Sequence, residues 1–379
     1  MKPSRVYKRG IPKTVICPFC QDEFKTHEML FRPTNGGEAT PGRHSFLDRI
    51  MGKPPMPRVE KGRNRGGNHW EKLCPAKKCA LPITAGRVSS LMIGIVGASQ
   101  TGKTHYVTSL IEQLGTVVGE RFMAGLVAVD DVTTKRFVND LKGPLFRDHL
   151  ALNMTIGAQP PLIYNLTFKG SLWKEKVPRS VTLALYDTAG ESMRTEDELR
   201  NLAAYLRVAA GVIFIVDPLQ CESVRDTMPP DADLPESNED STPAHIIGRI
   251  QNLLEEQNIL RSNQFSTPIA FTMTKCDALL SCGRIEASDP WNSTRTHQRC
   301  FSRAIHKSTE DSMRKLFQSL EPQAYNNIQV MFPNHAFFGV SATGCAKDAR
   351  TKRYAKVAPW RVEDPLLWLL SQLNVIPTC

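Results

Sequence analysis

Five short apolar runs punctuate the chain from residue 90 onward. They are SLMIGIVG (90–97), SVTLALYD (180–187), AGVIFIVD (210–217), TPIAFTMT (267–274) and AFFGVSA (336–342). Most end on a polar residue followed by turn or helix signals. Runs of this length with no alternation are those of strands buried on both faces, joined by crossover helices. GKTHYVTSLIEQLG (102–115) carries apolar residues at helical spacing, Val107, Leu110, Ile111 and Leu114, and stops at Gly115. VEDPLLWLLSQLNVIP (362–377) predicts a closing amphipathic helix that stops near Pro377. The pattern predicts an α/β fold with a doubly wound, mostly parallel sheet.

Other stretches break the pattern. Residues 33–69 are rich in Gly, Pro, Arg and Lys and predict a long loop with little structure of its own. Residues 221–244, with seven acids, one Arg and four Pro, predict an exposed acidic insertion, and 281–300 a second polar one. The expected division is a basic N-terminal segment at 1–87 and an α/β domain at 88–379. Charge follows it. Residues 1–90 hold 18 Lys/Arg against 7 Asp/Glu, and the remaining 289 hold 30 against 31. A basic front segment is either a solvated surface or a contact for a polyanion, such as nucleic acid, an acidic membrane or an acidic partner. No run of about 18 apolar residues predicts a membrane span, and the first twenty residues lack the apolar stretch of a signal peptide. A cytoplasmic location is the resulting expectation, with ten cysteines serving as thiols or metal ligands rather than disulfides.

GASQTGKT, Gly97 to Thr104, has the spacing G-x-x-x-x-G-K-[ST] and lies between a predicted strand and a predicted helix. Glycines let backbone N–H groups turn inward onto phosphate oxygens, and the following helix offers its positive end to the same anion. Lys103 is expected on the β- and γ-phosphates, and Thr104 on Mg²⁺. A later strand ends LALYDTAGES. Asp187 at its tip can hold Mg²⁺ through water, and Gly190 can offer an N–H to the γ-phosphate.

GASQTGKT, DTAGE, TKCD (Thr274–Asp277) and SAT (Ser341–Thr343) occur in the order found in Ras-like P-loop GTPases, which the chain resembles over about 88–375. The resemblance implies GTP and GDP as ligands. Gly97, Ser99, Gln100, Thr101, Gly102, Lys103 and Thr104 would line the phosphates. Asp277 would accept hydrogen bonds from guanine N1–H and the exocyclic amine, a donor pair adenine lacks. Lys275 would lie across the base, and Ser341 and Ala342 would meet the guanine oxygen. Thr274 stands where the family has Asn; its hydroxyl can still tie the base loop to the phosphate loop. For the switch threonine that closes on Mg²⁺, Thr155 is the choice, with Thr133 and Thr134 as rivals. Glu191 follows DTAG where Ras-like enzymes have the water-orienting Gln. Its carboxylate can orient water or accept a proton, but can also repel the γ-phosphate. Arg194 and Arg200 fit a helix surface better than an arginine finger. Slow intrinsic hydrolysis is expected.

Cys17 and Cys20 form a C-x₂-C pair, and Cys74 and Cys79 a C-x₄-C pair. Two close thiolate pairs suit a tetrahedral structural Zn²⁺, with His27 or His69 as possible replacements for a thiol. The other six cysteines show no ligand spacing and are expected to be ordinary thiols. A Cys-pair module leading into a GTPase core with YDTAGE and a late DPLLWLL resembles the bacterial double-GTPase family of conflict- and defence-type systems. That resemblance implies a switch working beside a second GTPase or effector proteins. Two alternatives stay open: a weakly hydrolysing guanine-nucleotide sensor or scaffold, and a zinc-dependent nucleic-acid binder regulated by GTP. The second is disfavoured by the scarcity of aromatics among the basic residues.

Overall fold

A computed structural model of the chain describes residues 12–34, 37–43, 45, 48, 55–57, 70–153, 159–169, 180–187, 196–229, 232, 234–235, 242–260 and 262–379. Five short strands build its N-terminal part: β1 (Thr14–Ile16), β2 (Glu23–Lys25), β3 (Leu30–Pro33), β4 (Thr40–Pro41) and β5 (Trp70–Leu73). β1 pairs antiparallel with β2, and β3 pairs antiparallel with both β4 and β5. The stretch expected to be plain loop thus contributes β4, and Arg43 and Met56 form a further bridge within it.

All five apolar runs become strands of one seven-stranded sheet. They are β6 (Ser90–Val96), β9 (Ser180–Asp187), β10 (Gly211–Val216), β11 (Ile269–Met273) and β12 (His335–Gly339). The sheet order is β12-β11-β10-β6-β9-β8-β7, and these five run parallel. β8 (Leu162–Phe168) and β7 (Ala124–Ala128) extend it as an antiparallel ribbon. The parallel strands all end at one edge, so the loops after β6, β9, β10, β11 and β12 gather there, where ligands bind in open α/β sheets.

Alternate strand residues serve opposite faces. Leu91, Ile93 and Ile95 of β6 and Leu183 and Leu185 of β9 meet Tyr106, Val107, Leu110, Ile111 and Leu114 of α1 (Lys103–Gly115). On the other face Val96, Phe214 and Phe271 meet Leu202 and Leu206 of one later helix and Ile246, Ile247 and Ile250 of another. Between α1 and these lie α2 (Val117–Phe122) and α3 (Asp131–Lys135), which runs on as a wide, π-type helix through Arg147. The two helices of the second face are α4 (Glu196–Val208) and α5 (Pro243–Glu256). After them come α6 (Cys276–Ser281), α7 (Arg303–Leu320), α8 (Pro322–Met331) and α9 (Asp364–Gln372).

Three expectations are corrected. The closing helix α9 is not amphipathic: Asp364 through Ser371 are all buried. It is sandwiched against the sheet so tightly that a Cβ at Gly211 would come within 2.8 Å of Leu369. Cys300 and Cys379 are not free thiols but a disulfide, with Cα atoms 5.9 Å apart. The carbonyl of Phe301 and the N–H of Cys379 bond beside it, so backbone pairing brings the two sulfurs together across 79 residues of sequence. Cys221 and Val224, at the start of the acidic insertion, are buried under the second face rather than exposed.

Candidate functional site

The loop after β6 is shaped by sterics. A Cβ at Gly97 would lie 2.6 Å from the Ile215 carbonyl oxygen on β10, so only glycine fits there. Gly102 takes a left-handed turn, φ +83°, directly before α1, a conformation that costs L side chains energy. Gln100 also has positive φ, and its side chain is exposed. Thr101 is buried and donates through Oγ1 to the Ala98 carbonyl. Lys103 is 6 % exposed, and its Nζ donates to the carbonyls of Gly97, at 2.9 Å, and Ala98. The loop therefore folds back around its own lysine. Ser99 and Thr104 are half-buried at its rim.

The ends of β11 and β12 meet this loop from the side. Thr274 is buried, and its Oγ1 lies 2.9 Å from the Thr101 carbonyl and 3.2 Å from that of Val216. One hydroxyl proton, shared between these acceptors, bridges the loops after β6, β10 and β11. Lys275 turns left-handed, φ 53°, and its Nζ reaches Asp217 Oδ2 at 2.5 Å and the Gln100 carbonyl at 3.4 Å. Asp277 accepts from Ser341 Oγ at 2.5 Å, and Ser341 Oγ accepts from the Gly344 N–H at 2.8 Å. Burial raises the Asp277 carboxyl above the usual range, against the lowering pull of the Ser341 hydroxyl. The Ala342 carbonyl is held by Ser109 Oγ of α1 at 2.7 Å.

These contacts bring Gly97, Gln100, Thr101, Gly102, Lys103, Thr274, Lys275, Asp277, Ser341 and Ala342 to one end of the sheet. Asp187 ends β9 at the same edge, with only its backbone described. Thr155, Gly190, Glu191 and Arg194 lie outside the described residues. Of the rival switch threonines, Thr133 is buried, with its Oγ1 accepting from the Ile163 N–H at 3.3 Å. Thr134 is exposed and bonds the Asp130 carbonyl.

Two residues of this site carried no expectation. Asp217, whose side chain is fully buried, fixes Lys275 and accepts from the Leu219 N–H at 3.0 Å. Its signal was present in the sequence: IFIVD ends on Asp just as LALYD does. His105 follows Thr104, and its Nε2 accepts from the Leu152 N–H at 3.1 Å. Burial, reinforced by the positive charges of Lys347 and Lys275, lowers its pKa to about 4. The neutral ring can therefore act as an acceptor at ordinary pH, and nothing in local sequence announces that bond.

The cysteine pairs also converge. The ligand atoms of Cys17, Cys20 and Cys74 lie within 4.8 Å of one another, and the sulfurs of Cys20 and Cys74 are 3.6 Å apart. Cys79 stands outside that trio, although its carbonyl accepts from the Cys74 N–H at 2.9 Å. His27 is not part of the trio either, and His69 lies outside the described residues. Each cysteine pair ends a tight turn: Gln21 N–H bonds to the Cys17 carbonyl, and Lys78 N–H to the Cys74 carbonyl. Burial raises the Cys17 thiol to about 12 and pushes Cys20 up as well. Three soft donors at this spacing, with Cys79 tied by its backbone to Cys74, fit a thiophilic cation such as Zn²⁺.

Among the described residues, no helix is long and apolar enough to cross a membrane. A relative from Mycolicibacterium smegmatis (strain ATCC 700084 / mc(2)155), named "Putative ESX-1 scaffolding and assembly protein SaeC", is 24% identical over 350 residues, covering 85% of each chain. A solved structure of the Arl6 BBS3 small GTPase from Trypanosoma brucei, with bound nucleotide analogue GppNp, covers 76% of this chain and 98% of its own, at 12% identity and a TM-score of 0.32. The profile of the family described as Double-GTPase 2 matches residues 91–336, which span β6 to the start of β12. The chain belongs to the Double-GTPase 2 family.

Proposed function

We propose that the chain is a GTP-binding and GTP-hydrolysing switch that works within a protein assembly. The observation that carries this reading is the junction at Thr274, whose hydroxyl bridges the loop that would hold phosphates and the strand end that would read the base. In this reading Lys103 exchanges its carbonyl partners for β- and γ-phosphate oxygens. Asp277, held by Ser341, reads the two donors of the guanine edge. Lys275, held by Asp217, lies along the base. Thr104 and Asp187 would hold Mg²⁺, which supplies charge neutralisation on the phosphates. Glu191 would orient or deprotonate the attacking water, and Thr155 would close on the γ-phosphate side. A carboxylate near phosphate charge makes intrinsic hydrolysis slow, so a partner that supplies positive charge is expected to speed it.

The family and the scaffolding relative support an assembly role. The N-terminal region, residues 1–87, would act as a zinc-braced module beside the GTPase domain, 88–379. Release of inorganic phosphate from GTP tests hydrolysis. Turnover that requires Mg²⁺ and disappears in Glu191→Ala supports the enzymatic reading. Tight GTP binding without turnover, alone and with candidate partners, would favour the sensor reading.

A further inference from the structure

The cysteine module occupies a specific place on the sheet. β9 turns Thr182, Ala184 and Tyr186 toward it and Leu183 and Leu185 away. Thr182 Oγ1 lies 2.9 Å from Thr84 Oγ1 of the module. Ile16, the residue before Cys17, packs with Tyr186 against Met92, Ile163 and Ala184. The module thus covers the sheet face beside α4, where a crossover helix would otherwise lie.

Tyr186 is the hub of that contact. Its ring lies 4.4 Å from that of Tyr205 on α4. Its buried hydroxyl faces the Gln21 side chain without a bond of full hydrogen-bond geometry, and the sulfurs of Cys17, Cys20 and Cys79 are close enough to bear on it electrostatically. Gln21 closes the Cys17–Cys20 turn. Tyr205 has no slack against the sheet either: a Cβ at Gly94, the register partner of Tyr186, would sit 2.8 Å from its ring. The residue after Tyr186 is Asp187. One tyrosine therefore links the thiol turn, the helix that follows the 188–195 segment, and the strand end assigned to Mg²⁺.

We propose that the cysteine site reads the nucleotide state: its grip on a zinc ion differs between the GDP and GTP forms, with Tyr186, packed with Ile16 on one side of the sheet and paired with the Tyr205 ring, as the positioning residue. This rests on the guanine-nucleotide reading above. A shift of Asp187 or α4 on nucleotide exchange moves a close-packed ring pair, and such contacts respond in discrete steps rather than by smooth deformation. Linkage makes the effect reciprocal: the factor by which GTP changes zinc affinity equals the factor by which zinc changes the preference for GTP over GDP.

The test uses the full chain. Zinc affinity is measured by competition with a chromophoric chelator, in GDP and in a non-hydrolysable GTP analogue. GTP and GDP affinities are then measured with and without zinc. The expected result is the same factor from both experiments, about 5-fold or more, falling toward one in Tyr186→Ala. Gln21→Ala lies in a surface turn and serves if Tyr186→Ala fails to fold; its factor should also fall. Equal zinc affinities in both nucleotide forms, with both nucleotides bound, would overturn the proposal and leave the switch reading intact. Absence of zinc binding would overturn it as well. Absence of nucleotide binding would overturn the switch reading and this proposal together.

Discussion

The nucleotide end of the sheet and the cysteine module are built by different means. At the sheet end, five strand tips are positioned by two broad apolar layers, and the loops are then cross-tied by Thr274, Lys275–Asp217 and Ser341–Asp277. The cysteine module has a small core of its own: Val15, Cys17, Phe24, Met29, Phe31, Cys74, Leu81 and Ala85. Two of those eight are candidate metal ligands. A core of this size supplies little stabilisation without a staple. The difference teaches that the loops at the sheet end are preorganised by packing and cross-ties, whereas the module has a core too small to hold it without a staple.

The largest expected effect follows from that contrast. Removing zinc with a chelator, or making Cys17→Ser, should unfold the module while leaving the sheet folded, because structural zinc sites contribute folding free energy outright. Hydrogen exchange checks this: amides of β1, β2, β3 and β5 should lose protection while those of β6, β10 and β11 keep theirs. Equal protection with and without metal would remove the contrast.

Next in size is Lys103→Ala. It removes the cation from the phosphate loop and should weaken GTP by about 100-fold or more, since charge-assisted hydrogen bonds contribute about 1.5–3 kcal/mol each. Calorimetric titration reads it, and unchanged affinity would displace the phosphates from this loop.

Asp277→Asn should weaken GTP by about 100-fold and admit xanthine nucleotides, which carry a carbonyl where guanine has its amine. Burial raises the Asp277 carboxyl, so GTP affinity should also fall on acidification at a higher pH than an ordinary carboxylate would give. Retained GTP affinity in the variant would end the assignment of Asp277 to the base.

The smallest expected effect concerns pH and stability. Burial lowers His105, His297 and His306 to about 4. Between that value and the ordinary ~6.5, the unfolded chain binds protons that the folded chain refuses. Their contribution is therefore fully present above about pH 6.5 and is lost as pH falls toward 4. It is on the order of 1–3 kcal/mol for each ring. Thermal melts from pH 7 to pH 4 should show Tm falling through that window, and His297→Phe should flatten part of the slope.

Much of the fold was legible in the five apolar runs, because parallel strands buried on both faces must be continuously apolar. β7, AGLVA, was not: it is an edge strand with alternating half-exposed positions and small residues, which carry no strong strand signal. The Cys300–Cys379 bond was equally hidden, since only the pairing of Phe301 with Cys379 brings the sulfurs together. In the site, motif residues could be listed from spacing, but their ties could not. Asp217 and His105 act through contacts 58 and 47 residues away in sequence. The thiol trio was foreseeable in composition, but its seat against Tyr186 depended on which face of β9 the module covers.

The most direct measurement is equilibrium binding of fluorescently labelled GTP to the full chain with Mg²⁺, competed by unlabelled GTP, GDP and ATP. Competition by GTP and GDP but not ATP is the predicted result, with Asp277 excluding adenine and the phosphate loop accepting both guanine nucleotides. Equal competition by ATP would contradict it: Asp277 would then read no base, and the site would be a phosphate loop without guanine specificity.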